Sequence, residues 1–338
     1  MTLYCGIDLH GNNSVISLID ETDKLVAEKR LDNKLDIIHQ YLTPHQDDIE
    51  GVVVESTYNW YWLVDGLMDK GYPVHLANTL AIKQYSGIKH TNDATDARYL
   101  AHLLRLGILP TGYIYPKAMR HVRDLLRRRL LLVKQRTAQI LSLQSLIGRH
   151  TGEQLNAIKM KQLTSKALQT YFTTPAALFA AEQSYHLVQQ LNTQIESIEA
   201  YLVAECRNDK RYAQLTSIPG VGRILGMTIL LETGPIERFR EVGHYASYAR
   251  CVPSDKISNG KTKGKGNVKN GNRYLGMAFV EAAHYASIWC PEIKCYYQRR
   301  CKKKPVMVVK KAIANKLTRA CYHMLNQGTC FDVVRAFG

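Results

Sequence analysis

The sequence predicts an α/β domain followed by a long helical hairpin and a mainly helical, basic C-terminal domain. Three observations predict it. Strand and helix patterns alternate through the first hundred residues, apolar residues recur at near-heptad spacing from about residue 117, and a Gly-rich turn opens a helix after Pro219. A chain of 338 residues has room for roughly two or three domains. Its 46% apolar and 22% charged content is that of a globular protein. The expected domains are 1–116, 117–210 and 211–338.

Thr2–Asp8, Ser14–Ile19 and Leu25–Leu31 are short β-prone runs separated by the turn-forming GNN and ETD, which predicts an antiparallel three-strand meander. Leu35–Leu42 reads as a helix. Gly51–Glu55 (GVVVE) is a continuous apolar run, as expected of a strand buried on both faces. An aromatic-rich helix over Tyr58–Lys70, a strand over Pro73–Leu76 and an amphipathic helix over Asp93–Leu106 complete the region. Three strands, helix, strand, helix, strand, helix is the order of ribonuclease H-like folds, an analogy of element order alone.

From about Lys117 the pattern becomes helical. Leu125, Leu126, Leu130, Val133, Ile140, Leu143 and Leu146 recur at near-heptad spacing, as do Leu187, Leu191, Ile195, Ile198 and Leu202 after Ala176. The two stretches predict an antiparallel coiled hairpin, with a less regular segment over Gly148–Pro175. Arg123, Arg127, Arg128, Arg129, Lys134 and Arg136 crowd the first helix. They read either as a solvated face or as a stripe that tracks a nucleic-acid backbone.

Leu215–Glu232 (LTSIPGVGRILGMTILLE) has the form of a helix-hairpin-helix element. Gly220 and Gly222, with Arg223 beside them, would let backbone N–H groups at a helix start approach a phosphate closely. An ordinary Gly-rich helix turn is the other reading.

Charge is distributed unevenly. Residues 1–116 carry a net −6, 117–210 a net +7 and 211–338 a net +15, for +16 overall. A basic C-terminal half on an acidic N-terminal domain suits a polyanion-binding body with a cation-holding carboxylate site. Eight cysteines without a secretory leader read as reduced thiols in a cytoplasmic protein, and no long apolar run predicts a membrane span. Cys290, Cys295 and Cys301 with His284 raise a zinc reading, weakened by the lack of a C-x2-C knuckle.

Two groups of residues carry chemistry. Asp8 ends the first strand, Glu55 ends the buried strand, and Asp93 and Asp96 share one helical face at i,i+3. Hard divalent ions, Mg²⁺ or Mn²⁺, need such clustered oxygen ligands, and a pair of ions can activate an attacking oxygen while stabilising a leaving one. The second group lies in the polar segment Pro253–Asn272. Lys261, Lys263, Lys265 and Lys269 can neutralise phosphates there, and a serine can act as nucleophile or as simple phosphate donor. GKT at Gly260–Thr262 echoes a P-loop, but Asp255 stands where its leading glycine belongs, which argues against an ATP site.

GIDLH, VVVEST, NDATDARYLA, SIPGVG, the P-x4-S-N-G-K segment and KNGN, in this order over nearly the whole chain, resemble the DEDD insertion-sequence transposases of the "IS one-ten" family, related to the Piv DNA invertases. The resemblance implies a RuvC-like N-terminal domain, a coiled helical hairpin, and a C-terminal domain whose serine attacks DNA to form a covalent phosphoserine intermediate. It implies homo-oligomers, dimer to tetramer, acting on target and donor DNA under a structured bridge RNA. By motif match the carboxylates are Asp8, Glu55, Asp93 and Asp96, and the serine is Ser258. Many relatives have glycine directly after that serine; here Asn259 precedes Gly260, which leaves Ser254 as a second candidate. The alternatives are a RuvC-like nuclease or junction resolvase that uses water, and a non-catalytic nucleic-acid-binding protein.

Overall fold

The computed structural model describes residues 1–82, 93–253, 255–265 and 270–338, and the chain divides into two compact units, Met1–Lys117 and Ala118–Gly338.

The first unit is built in the order β1 (Leu3–Leu9), β2 (Asn13–Asp20), β3 (Leu25–Asp32), α1 (Leu35–Leu42), β4 (Ile49–Glu55), α2 (Tyr61–Asp69), β5 (Val74–Ala77), α3 (Thr79–Ile82), α4 (Asp93–Arg105) and β6 (Thr111–Gly112). The sheet order is β3-β2-β1-β4-β5-β6. The meander β1–β3 is antiparallel, whereas β4 runs parallel to β1 and β5 parallel to β4. The expected elements are all present. Helix α2 starts at Tyr61 rather than Tyr58, and the two-residue β6 was not anticipated.

Strand alternation divides the sheet's two faces. Leu3, Cys5, Ile7 and Leu9 of β1 share a core with Ile38 and Leu42 of α1 and Leu63 and Leu67 of α2. Gly6 and Asp8 therefore face the other side, where α4 lies. A Cβ built on Gly6 would sit 1.9 Å from the Ala97 carbonyl oxygen, so only glycine lets α4 rest directly on β1. Val53 and Leu100 join that second, smaller core. Burial on both faces is why β1, β2 and β4 read as nearly continuous apolar runs.

The second unit opens with α5 (Lys117–Thr151), followed by α6 (Ala157–Gln162), α7 (Ser165–Tyr171) and α8 (Pro175–Cys206). Arg129 donates to Glu199 and Arg136 to Asn192, so residue numbers rise along α5 as they fall along α8 and the two helices are antiparallel. Leu132, Leu191 and Ile195 fill the seam between them. Helices α9 (Lys210–Thr216), α10 (Arg223–Thr233), α11 (Val242–Tyr248), α12 (Arg273–Trp289), α13 (Pro291–Cys301), α14 (Val306–Gln327) and α15 (Val333–Phe337) follow. Between α11 and α12 stands a two-stranded hairpin, β7 (Asp255–Ser258) and β8 (Lys261–Lys265). Leu126, Leu202 and Cys206 share one core with Leu230, Phe279, Ile313 and Leu317. The unit thus continues through residue 210 without a break between compact bodies.

The arginine stripe of α5 does not form one solvent face. Arg120, Arg123 and Arg127 recur at i, i+3 and i+7, which brings them to the same side, and Arg120 and Arg123 are buried. Arg127 turns inward to Glu232, Arg129 to Glu199 and Arg136 to Asn192, whereas Arg128 and Lys134 stay exposed. Among the described residues no helix is long and apolar enough to cross a membrane.

Candidate active site

Asp8, next to last in β1, and Glu55, last in β4, each lie one residue beyond the Ile7–Val54 pair of these adjacent parallel strands, and alternation points both toward α4. Asp8 is 4% exposed. Burial, a hydrogen bond with Asp8 and the charges of Asp8 and Asp96 push the Glu55 carboxyl up to about 7. Asp93 and Asp96 enter from the first turn of α4, which the Gly6–Ala97 contact holds against β1. Burial and the charges of Asp8 and Asp93 raise the Asp96 carboxyl. A 2.5 Å hydrogen bond from Arg30 and the nearby His10 hold Asp93 below the usual carboxylate range.

Sequence reasoning missed His10. Two residues after Asp8 its ring returns to the same side, and its Nε2 lies 3.2 Å from Asp8 Oδ2 and 3.3 Å from Asp93 Oδ2. Nε2 is nevertheless buried without an aligned hydrogen bond. The His10 carbonyl accepts from the side chains of Asn33 and Asn59, which fixes the backbone at this point. Donor atoms of Asp8, His10 and Asp93 all lie within 4.8 Å of one another, the one such group among the described residues. An Asp-x-His spacing at a strand end was the available signal.

This donor set fits a divalent ion. Converging carboxylates, two of them raised by burial and by one another's charge, and an unaligned imidazole nitrogen are relieved together when a cation sits among them. The Cys290, Cys295, Cys301 and His284 set does not gather. Among the described residues it forms no ligand cluster; Cys290 Sγ–H donates to Glu292 Oε2, and Lys310 Nζ hydrogen-bonds His284 Nδ1 at 2.9 Å.

Ser258 occupies the last position of β7, exposed, and pairs with Lys261 across the two-residue turn Asn259–Gly260. Both turn residues have positive φ, 50° and 68°, as a type I′ hairpin turn requires. The segment expected as a polar loop is a hairpin here, and Asn-Gly was the overlooked signal. Lys261 and Lys263 are exposed on β8, and Lys265 pairs by backbone with Asp255. Ser254 and Lys269 lie outside the described residues.

Side chains and backbone clamp the hairpin's base. Arg250, itself at φ 54°, donates through Nε to the Gly271 carbonyl at 3.0 Å, and Asn272 N–H donates to Tyr248 O. Asn315 donates to the Cys251 carbonyl. The Asn272 side chain caps α12 by accepting from the N–H groups of Tyr274 and Leu275, and donates to the buried Glu232 at 2.7 Å. Arg127 completes this network from α5 and stacks over Tyr274 at 4.5 Å. The sequence reading put Arg127 on nucleic acid. The structure places its guanidinium on Glu232 instead, because a fully buried carboxylate needs a counter-charge.

The Pro219–Gly222 turn joins α9 to α10. Gly220, at φ 81°, was expected to admit a phosphate, but a Cβ there would meet Ala282 O at 2.2 Å and Ala286 N at 2.7 Å. The glycine is needed for contact with α12. Gly222 has open space around it and precedes Arg223, the first residue of α10.

Residues 5–151 match a DEDD-type IS110 family model described as "Transposase", and residues 212–298 match one described as "Transposase IS116/IS110/IS902 family". A "Probable family 20 transposase" of Pseudomonas aeruginosa is 25% identical over 285 residues, covering 80% of this chain and 82% of that protein. The transposase for insertion sequence element IS1111A of Coxiella burnetii is 23% identical, covering 82% of this chain and 76% of its own. The transposase for IS1328 of Yersinia enterocolitica is 27% identical over 146 residues, 41% of this chain and 43% of its own.

Proposed function

The chain belongs to the IS110 family of insertion-sequence transposases, and from that premise we propose that it cuts and rejoins DNA through a covalent bond to Ser258, assisted by Mg²⁺ at Asp8, Glu55, Asp93 and Asp96. The observation that carries this reading is the gathering of Asp8, His10 and Asp93 within ligand distance of one another. A bound divalent ion supplies charge that activates an attacking oxygen and stabilises a leaving one.

This chain's own residues do the rest. The turn at Asn259–Gly260 holds the Ser258 hydroxyl at an exposed tip, and the exposed Lys261 and Lys263 supply charge for the attacked phosphate. Ser258 Oγ attacks phosphorus and loses its proton; the bond from phosphorus to a deoxyribose oxygen breaks, and that oxygen takes up a proton. The phosphoserine link conserves the bond energy, so a second deoxyribose hydroxyl can reverse the step without ATP. The partners in this reading are target and donor DNA and a structured bridge RNA, bound by the +22 of residues 117–338. The working assembly is a homo-oligomer up to a tetramer, with carboxylates and serine contributed by different protomers. Lys265, Lys269, Gly222, Arg223 and Arg128 remain candidates for backbone contacts.

The test is to trap the intermediate on a nicked suicide substrate and map the adduct by mass spectrometry. Ser258→Ala abolishes the adduct and leaves nucleic-acid binding intact, whereas Ser254→Ala spares both. Mixing Glu55→Ala with Ser258→Ala protein restores activity if the site is shared. An adduct that survives Ser258→Ala moves the nucleophile elsewhere, and cleavage with no adduct at all favours the water-using nuclease.

A further inference from the structure

Trp289 ends α12 with 78% of its surface exposed, and Tyr285, one turn earlier, is 42% exposed. A large aromatic left in water on a well-packed helix calls for a physical account. Together with Thr216–Leu225 the two rings line an open cavity of about 560 Å³.

Gly220 creates this neighbourhood. The turn rests directly on Ala282 and Ala286 of α12 because residue 220 has no side chain, and this brings Gly222 and Arg223 beside the two rings. Arg223 is the one formally charged side chain among the lining residues, and no Asp or Glu joins it. Aromatic faces, a guanidinium, open backbone at Gly222 and no acid match the two halves of a nucleotide, a flat base and an anionic phosphate. The volume lies in the range that holds one small group rather than a protein surface.

We propose that Trp289 and Tyr285 form a stacking platform for an unpaired nucleobase, whose adjoining phosphate is held by Arg223 and the backbone at the start of α10. The proposal rests on the reading that this chain binds nucleic acid and deepens it. In a duplex the bases are stacked inward and no ring face is offered to a side chain beside the backbone. The platform therefore selects single-stranded or extruded nucleotides, of DNA or of RNA.

The experiment uses the full chain and fluorescence anisotropy with labelled oligothymidylate, oligouridylate and a fully paired duplex. Trp289→Ala weakens binding of the single strands by about 5- to 150-fold, the range for loss of one base–aromatic stack, and leaves duplex binding unchanged. Trp289→Phe restores most of the loss, which a purely structural role for the indole does not predict. The relative loss on oligothymidylate and oligouridylate tells which strand uses the platform. Unchanged single-strand binding by Trp289→Ala, or equal losses on strand and duplex, overturns the platform while nucleic-acid binding stands. A wild-type chain that binds none of the three probes overturns both.

Discussion

Arg127 grips Glu232 at two points: Nε donates to Oε1 at 2.6 Å and Nη2 to Oε2 at 2.7 Å, on a carboxylate whose side chain is 1% exposed. The pair ties α5 to α10. Through Asn272, which donates to the same carboxylate, it also reaches the C-terminal base of the Ser258 hairpin.

Breaking this pair is expected to be asymmetric. Arg127→Ala leaves Glu232 charged and buried with Asn272 as donor, and should cost about 3 kcal/mol, the low end for breaking a buried pair. Glu232→Gln should cost less, because Arg127 is 31% exposed and can turn to water. Urea denaturation reads both; equal costs would mean that the carboxylate is not the strained partner.

Metal affinity should depend on His10 in an ion-specific way. An imidazole nitrogen is a softer donor than a carboxylate oxygen, so His10→Ala should weaken Mn²⁺ more than Mg²⁺, whereas Asp8→Ala should abolish binding of both. Titration calorimetry with each ion checks this. Recombination by the wild-type chain that persists in EDTA refutes the metal reading altogether.

The pH dependence follows from Glu55. Its carboxyl is raised from 4.5 to about 7 in the folded chain by burial first, then by Asp8 and Asp96. The stability this shift confers is full below its unfolded value and is lost as pH rises through about 7, so the metal-free protein should become easier to melt across that window. Asp96, also raised, acts in the same direction; Asp93, lowered, acts in the opposite one. Ion binding at about pH 6 should release protons, seen as a calorimetric heat that varies with the buffer's ionisation enthalpy. Glu55→Gln should flatten both effects.

The hairpin turn should matter to Ser258 more than to global stability. Gly260 sits at φ 68° with nothing within 4 Å of a built Cβ, so Gly260→Ala adds only backbone strain, about 1 kcal/mol. We expect adduct formation to fall about fivefold, the rate equivalent of that strain, while the melting temperature barely moves. A matching drop in melting temperature would place the effect in the fold instead.

Nucleic-acid affinity should fall steeply with salt, because +22 of net charge lies in residues 117–338. A flat plot of log affinity against log salt would point to a partner that is not a polyanion.

Most of the first unit was legible because its signals are local. Continuous apolar runs, turn residues and one amphipathic helix fixed the order of β1 to α4, and strand ends marked Asp8 and Glu55. The charge gradient and the Asp93–Asp96 spacing were equally readable. What a side chain meets across the fold was not. His10 meets Asp93 only because α4 lies against β1, a placement that depends on Gly6 lying under Ala97. Arg127 and Arg128 are adjacent cations on one helix, yet one is drawn to a buried carboxylate 105 residues away and the other stays in water. Gly220 looked like a phosphate glycine, and α12 made it a packing glycine. Sequence periodicity sets which residues share a face; the tertiary structure decides what that face touches, because burial and counter-charge come from elements distant in the chain.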